Sequence, residues 1–297
     1  MRNVTVAATQ MSCSWNIESN MERAERLVRE AAAQGAQIIL LQELFETPYF
    51  CQDIDEGFKE LAQEMDSSVL LNRFAALATE LNVVLPVSFY ERSGDQLFNS
   101  IAIIDANGEI KNRYRKTHIP DTPGYHEDHY FSPGDTGFMV TQTQYGKIGV
   151  GICWDQWFPE AARSMALMGA ELIFYPTAIG SEPSDPDLDS RDHWQRVMQG
   201  HAAANLVPVI ASNRVGVEMG RSTQITFYGS SFICNEYGAI TDMADRYTEG
   251  VLVATFDLDV VKQNRDQWGI FHTRQPERYA EVTASIRPEH QKMSAQA

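Results

Sequence analysis

The sequence has no long apolar run. None of its hydrophobic stretches approaches the roughly 18 residues needed to cross a bilayer, and even VLVATFDLDVV is broken by Asp257 and Asp259, so no membrane partner is expected. The opening residues, MRNVTVAATQMSCSW, lack the apolar block of a secretory signal. Cysteine is scarce: Cys13, Cys51, Cys153 and Cys234 lie far apart with no C-x-x-C pair, which argues against a disulfide framework or a zinc ribbon and fits a reducing compartment. A cytoplasmic location is the expectation. Positive charge is also short, with 24 Lys and Arg against 40 Asp and Glu, a formal net charge of −16. No basic block offsets it, so a nucleic acid partner is not expected, whereas a cationic substrate would be tolerated. Acidity that serves only solubility is the plainer alternative.

What the sequence does have is core material. With 43% hydrophobic residues, 14 Phe, 11 Tyr and 5 Trp, the chain reads as globular throughout. Its 297 residues permit one large domain or two. Short β-branched runs recur as candidate strands: NVTVAATQ, QIILLQE, NVVLPVSFYE, FNSIAIID, KIGVGICWD, ELIFYPTAI, LVPVIASNRV, SSFICN and GVLVATFDL. Helical patterns lie between several of them, at 16–34, 67–81, 159–168 and 189–204. In the first, Met21, Ala24, Leu27, Val28 and Ala31 share one face. Asn107-Gly108, between two strand-like runs, signals a hairpin, so a mixed sheet is predicted. Strand and helix alternate without a linker, which predicts a single α/β domain over 1–297, with a tail from about residue 283. The proline-broken acidic stretch SEPSDPDLDS, 181–190, reads as a loop on a site rim.

Three residues stand where chemistry could be done. Cys153 ends the strand KIGVGI before a turn and a helix opened by Pro159; Gly149 and Gly151 leave room for close approach, and a helix N-terminus aimed at the sulfur would favour the thiolate. Glu43 ends QIILLQE at a buried strand's exit, a setting suited to proton transfer. Lys116, in NRYRKTHIPD, could hold an oxyanion. Each has a plain alternative: a packing cysteine, a solvated strand-end charge, and one of a basic group with Lys111, Arg113 and Arg115.

Together they carry more. QELFETPYF, RKTHIPD and GICWDQWFPEAAR resemble the nitrilase superfamily, whose members share Glu, Lys and Cys in that chain order, and the resemblance runs from residue 3 to about residue 280. HIPDTPGYHEDHYFSPGDTGF, GICWDQWFPEAARSMALMGAE, YPTAIGSEPSDPDLDSRDHWQRVMQGHAAANLVPVIASNRVG and TQITFYGSSFI are similar, within it, to the group that hydrolyses N-carbamoylputrescine to the diamine, carbon dioxide and ammonia. The resemblance implies an α/β/β/α sandwich of two mixed sheets flanked by helices, a homo-oligomer and no cofactor. It implies Cys153 as nucleophile, Glu43 as general base, Lys116 as oxyanion partner together with the Trp154 N–H, and Glu127 as a second glutamate that orients Lys116 or the substrate. Glu182 becomes the candidate partner for a distal ammonium, which would otherwise be buried unpaired; loop solvation with Asp185, Asp187 and Asp189 is its alternative. Tyr49 and Trp154 could line an aliphatic channel or belong to the core. A metal site from His126, Glu127, Asp128 and His129 is not expected, because the spacing is not H-E-x-x-H. His118, His193 and His201 read as structural. Rival expectations are a simple amide, a nitrile or a carbamoyl amino acid as substrate, or a silent binding module; the absence of a G-x-S-x-G elbow speaks against a serine hydrolase.

Overall fold

A computed structural model of the chain describes residues 1–221 and 223–284. The tail expected from about 283 therefore lies, beyond its first two residues, outside the described residues. The chain begins β1 (Asn3–Gln10), α1 (Ile17–Ala33), β2 (Ile38–Leu40), α2 (Val69–Leu81), β3 (Leu85–Ser93), β4 (Gln96–Ile104) and β5 (Ile110–Arg115). A small hairpin, β6 (Asp121–Thr122) and β7 (Tyr125–His126), leads to β8 (Val140–Gln142), β9 (Lys147–Val150), α3 (Pro159–Leu167), β10 (Leu172–Pro176), α4 (Arg191–Asn205) and β11 (Val209–Ser212). The remainder is the hairpin β12 (Val215–Met219) and β13 (Gln224–Tyr228), then β14 (Phe232–Cys234), β15 (Ile240–Met243), β16 (Gly250–Asp257) and α5 (Leu258–Trp268).

Two mixed sheets form the centre. In the first, β1 pairs antiparallel with β16 and parallel with β2, and a parallel bridge from Ile38 to Val84 continues the sheet toward β3–β4–β5. The second has the order β15-β14-β11-β10-β9-β8. Strand alternation sorts side chains between layers. Val6 and Ala8 of β1, with Ile38 and Leu40 of β2, meet Val150, Phe174 and Ile210 of the other sheet in one buried cluster. Ala7 and Ile39 point the opposite way, against Ala24, Leu27 and Val28 of α1. On the far side, Ile173 and Val209 pack under Ala162, Met165, Trp194 and Met198 of α3 and α4. The result is the expected α/β/β/α sandwich.

Local signals explain most boundaries. The Asn16 side chain accepts the Ser19 N–H to start α1, and Ser68 does the same for Leu71 in α2. Met21, Ala24, Leu27, Val28 and Ala31 are all buried, as the spacing predicts. The 105–109 turn closes β4 onto β5 with Gly108 at φ +80° and its N–H on the Asp105 carbonyl at 2.8 Å. Several boundaries differ from expectation, KIGVGICWD among them being extended only at Lys147–Val150. QIILLQE is extended only at Ile38–Leu40, so Glu43 lies in the turn beyond. GVLVATFDL stops at Asp257, whose carboxylate caps the N–H groups of Asp259 and Val260 and opens α5. Among the described residues no helix is long and apolar enough to cross a membrane.

Candidate active site

The site collects the residues that follow β2, β5, β7 and β9. Glu43 stands three residues past β2, on a turn in which Leu44 takes a left-handed φ of +47° and donates its N–H to Ser88 Oγ at 2.9 Å. Lys116 follows β5; its N–H reaches the Asn99 carbonyl at 2.9 Å, and its own carbonyl accepts from Gly134 at 2.8 Å. That approach explains the glycine, since a Cβ there would lie 2.1 Å from the Arg115 carbonyl oxygen. Glu127 opens a short 3-10 turn after β7.

These three side chains meet. Lys116 Nζ is 2.8 Å from Glu43 Oε1 and 2.6 Å from Glu127 Oε2, all three groups being buried. Asn99 donates to the same Glu43 oxygen at 2.7 Å, and the Tyr49 hydroxyl donates to Glu127 Oε1 at 2.7 Å. Glu43 Oε2 accepts no hydrogen bond among the described residues. Burial works against the Lys116 ammonium, but the carboxylates of Glu127 and Glu43 outweigh it and hold its pKa well above the usual lysine value. Burial likewise pushes the Glu127 carboxyl up, opposed by Lys116 and reinforced by Glu43.

Cys153 completes the group. It begins a 3-10 turn, Cys153–Trp157, with φ +41°, a conformation that costs about 1–3 kcal/mol for a residue with a side chain. Asp155, fully buried, holds that turn. Its Oδ2 accepts from the Ile152 N–H at 2.9 Å and the Tyr114 hydroxyl at 2.7 Å, and its Oδ1 from the N–H and Nδ1 of His118 at 3.0 and 2.8 Å. The close approach expected at Gly149 and Gly151 is made by the Met165 sulfur and the Tyr175 ring, each 2.8 Å from where a Cβ would stand. The condition set for a thiolate, a helix N-terminus at the sulfur, is not met. The helix that could favour a thiolate, α3, starts only at Pro159, and burial first, then Glu43, push the Cys153 thiol well above its usual range despite Lys116. The Cys153 sulfur is directed at the Ala178 carbonyl, 3.8 Å away.

The substrate candidates fall in different places. Tyr49 is wholly buried, its ring 5.6 Å from that of Tyr125 and its hydroxyl on Glu127. Trp154 is half-buried beside Trp157, their rings 6.2 Å apart. Glu182 is half-buried on the 181–190 loop, forms no ion pair among the described residues, and is held above its usual range by burial and by Asp185. Burial raises the phenols of Tyr125 and Tyr228, and the Glu182 carboxylate adds to both, so the loop carboxylate lies within electrostatic reach of the two rings. His126, Glu127 and His129 diverge, to Asp121, Lys116 and Glu56, and among the described residues no cluster of His, Cys, Asp and Glu is placed to hold a metal. His118 and His201 bond to Asp155 and to the Gln156 carbonyl, the latter at 2.7 Å, and His193 packs on Trp157. Sequence reasoning missed Asn99 and Asp155; the visible signals were a polar residue inside the apolar run FNSIAIID and an aspartate two residues after the cysteine.

The sandwich and its buried Glu, Lys and Cys define a hydrolase of carbon–nitrogen bonds. The profile of the carbon-nitrogen hydrolase family matches residues 5–266, and the chain belongs to that family as an amidohydrolase acting on C–N bonds. The chain is 58% identical to N-carbamoylputrescine amidase of Arabidopsis thaliana over 282 residues, 94% of each chain. It is 52% identical to citrullinase of Francisella tularensis, covering 95% of this chain and 99% of that one. Among solved structures, a carbon-nitrogen hydrolase from Helicobacter pylori superposes with a TM-score of 0.89 at 35% identity, over 95% of this chain and 99% of the other.

Proposed function

We propose that the protein hydrolyses N-carbamoylputrescine to putrescine, carbon dioxide and ammonia in the agmatine route to polyamines, through a carbamoyl group carried on Cys153. A ureido carbon is a poor electrophile because two nitrogens donate into its carbonyl, so attack needs both a strong nucleophile and oxyanion stabilisation. Glu43 Oε2 takes the thiol proton as the sulfur bonds to carbon. The oxyanion is held by Lys116, two of whose three N–H donors face Glu43 and Glu127, and by the Trp154 N–H. The C–N bond to the diamine breaks, the amine leaves with the proton from Glu43, and Glu43 then activates the water that clears the carbamoyl group as carbamate. A cytoplasmic homo-oligomer belongs to the same proposal.

The observation that carries this reading is the unpaired Glu43 oxygen beside Lys116 and Cys153 in one buried site. For the substrate, support comes from the amidase relative and from Glu182, a carboxylate without an ion partner among the described residues and within electrostatic reach of Tyr125 and Tyr228. The citrullinase relative favours a second reading, since citrulline is also a ureido compound with a distal ammonium. Citrulline adds a carboxylate, however. Arg246, 5.8 Å from the Tyr228 ring, is already bound by Asp189 at 2.7 Å, which favours the diamine without the acid group.

Turnover of carbamoylputrescine, citrulline and N-carbamoyl-β-alanine tests the choice. The expected order puts carbamoylputrescine first; preference for citrulline would install the second reading, and preference for the β-amino acid would refute both. Glu182→Gln should lower kcat/KM for carbamoylputrescine at least about tenfold while sparing N-butylurea, which has no ammonium to leave unpaired. Equal losses on both would assign Glu182 to the loop's structure.

A further inference from the structure

Arg214 stands on the turn between β11 and β12 with its side chain fully buried, and the steps above give it no part. Its guanidinium nevertheless donates four hydrogen bonds around the proton acceptor. Nη2 reaches the backbone carbonyls of Glu43 at 2.9 Å and Leu44 at 2.6 Å. Nη1 reaches the Thr47 carbonyl at 2.9 Å and Glu218 Oε1 at 2.8 Å. Glu218, on β12, closes the circuit: its Oε2 accepts the Tyr49 N–H at 2.5 Å, and the Tyr49 hydroxyl in turn holds Glu127 at 2.7 Å.

The segment 43–49 is thus gripped at both ends by one buried ion pair. At its start Leu44 adopts the left-handed φ of +47°, which a leucine avoids unless its surroundings impose it. At its end Tyr49 fixes the second carboxylate of Lys116. A fully buried charge pair is expensive to desolvate, and a turn that needed only closing could be closed by neutral groups. Arginine is the side chain whose planar fork serves four acceptors at once; lysine has the charge without the fork.

We infer that the Arg214–Glu218 pair is the positioning device of the reaction: it sets residues 43–49 so that Glu43 turns Oε2 to the Cys153 thiol while Tyr49 keeps Glu127 on Lys116. The inference rests on the assignment of Glu43 as proton acceptor, and neither Arg214 nor Glu218 touches substrate in it. Displacing the base by about 1 Å costs about a hundredfold in rate without touching substrate binding.

The test measures kcat and KM for carbamoylputrescine in Arg214→Lys, Glu218→Gln and Glu43→Gln, with active sites counted by mass-resolved alkylation of Cys153 and folding followed by circular dichroism. Arg214→Lys is expected to lose about a hundredfold in kcat per counted site with KM within about threefold, and Glu218→Gln a smaller part of the same kcat effect. A merely structural pair would lower the number of countable sites and the melting temperature and leave kcat per site intact, overturning the inference. If Arg214→Lys does not fold, Glu218→Gln decides by the same criterion. Glu43→Gln separates the two layers: retained activity there would overturn the base assignment itself, whereas its inactivity beside normal kcat in the other two variants would overturn only the positioning role.

Discussion

Burial first, then the Glu43 carboxylate, push the Cys153 thiol above its usual range against the pull of the Lys116 ammonium. A raised pKa favours the thiol over the thiolate near neutral pH, so in the proposed mechanism Glu43 takes the proton as substrate is attacked rather than before. The ultraviolet thiolate absorbance that distinguishes the protein from Cys153→Ala should therefore be absent at neutral pH and grow only above about pH 9; full absorbance at pH 7 would show a preformed thiolate and contradict the account. Single residues were only partly legible in the sequence. Glu43, Lys116 and Cys153 could be singled out by their places at strand ends, yet each had an ordinary alternative, because what binds them is made by contacts 73 positions apart in the case of Lys116 and Glu43. Tyr49 shows the limit. Its aromatic ring suggested a channel lining, while its hydroxyl bond to Glu127, 78 positions away, has no trace in local spacing.

At the scale of elements, the 3-10 turn Cys153–Trp157 matters more than the helix that follows it. The strand-turn-helix pattern around KIGVGICWDQWFPEAAR announces a change of direction, but a tight turn with a left-handed cysteine is invisible to periodicity. Asp155 supports the turn by accepting from two backbone N–H groups, a phenol and an imidazole, all directed at one buried carboxylate. Asp155→Asn sets an amide N–H₂ against groups that themselves donate. It is expected to cost about 2–3 kcal/mol, read as a lower urea midpoint, together with a loss of kcat; an unchanged midpoint would contradict the support role. Helices α1 and α2 were readable because amphipathic spacing and side-chain caps agree, and α3 because Pro159 opens it, whereas α5 was not, because Asp257 ends a strand and caps a helix within one apolar run.

The whole molecule joins chain ends that sequence keeps apart. β1 pairs with β16 from Asn3 opposite Asp257 to Gln10 opposite Gly250, so the first sheet is complete only when the last strand arrives. Alternation of strands and helices predicted an α/β chain, but the division into two sheets depends on such distant pairings and came from resemblance rather than from pattern. Phe174, between the sheets, tests the packing: Phe174→Ala should lower stability by about 3–5 kcal/mol in urea unfolding, and a loss below 1 kcal/mol would show that the layers do not rely on it. The net charge of −16 acts at long range as well. It should draw in a cationic ureido amine, so kcat/KM for carbamoylputrescine is expected to fall severalfold between about 0.01 and 0.3 M salt while that for N-butylurea stays level; parallel curves would remove the steering term. The central claim, a covalent carbamoyl group on one sulfur, is tested most directly by mass spectrometry of the intact protein quenched during turnover and then mapped by peptide. The account predicts a gain of one carbamoyl group confined to the peptide bearing Cys153 and absent from Cys153→Ala; turnover with no adduct on rapid quenching, or an adduct on Cys13, Cys51 or Cys234, would contradict it.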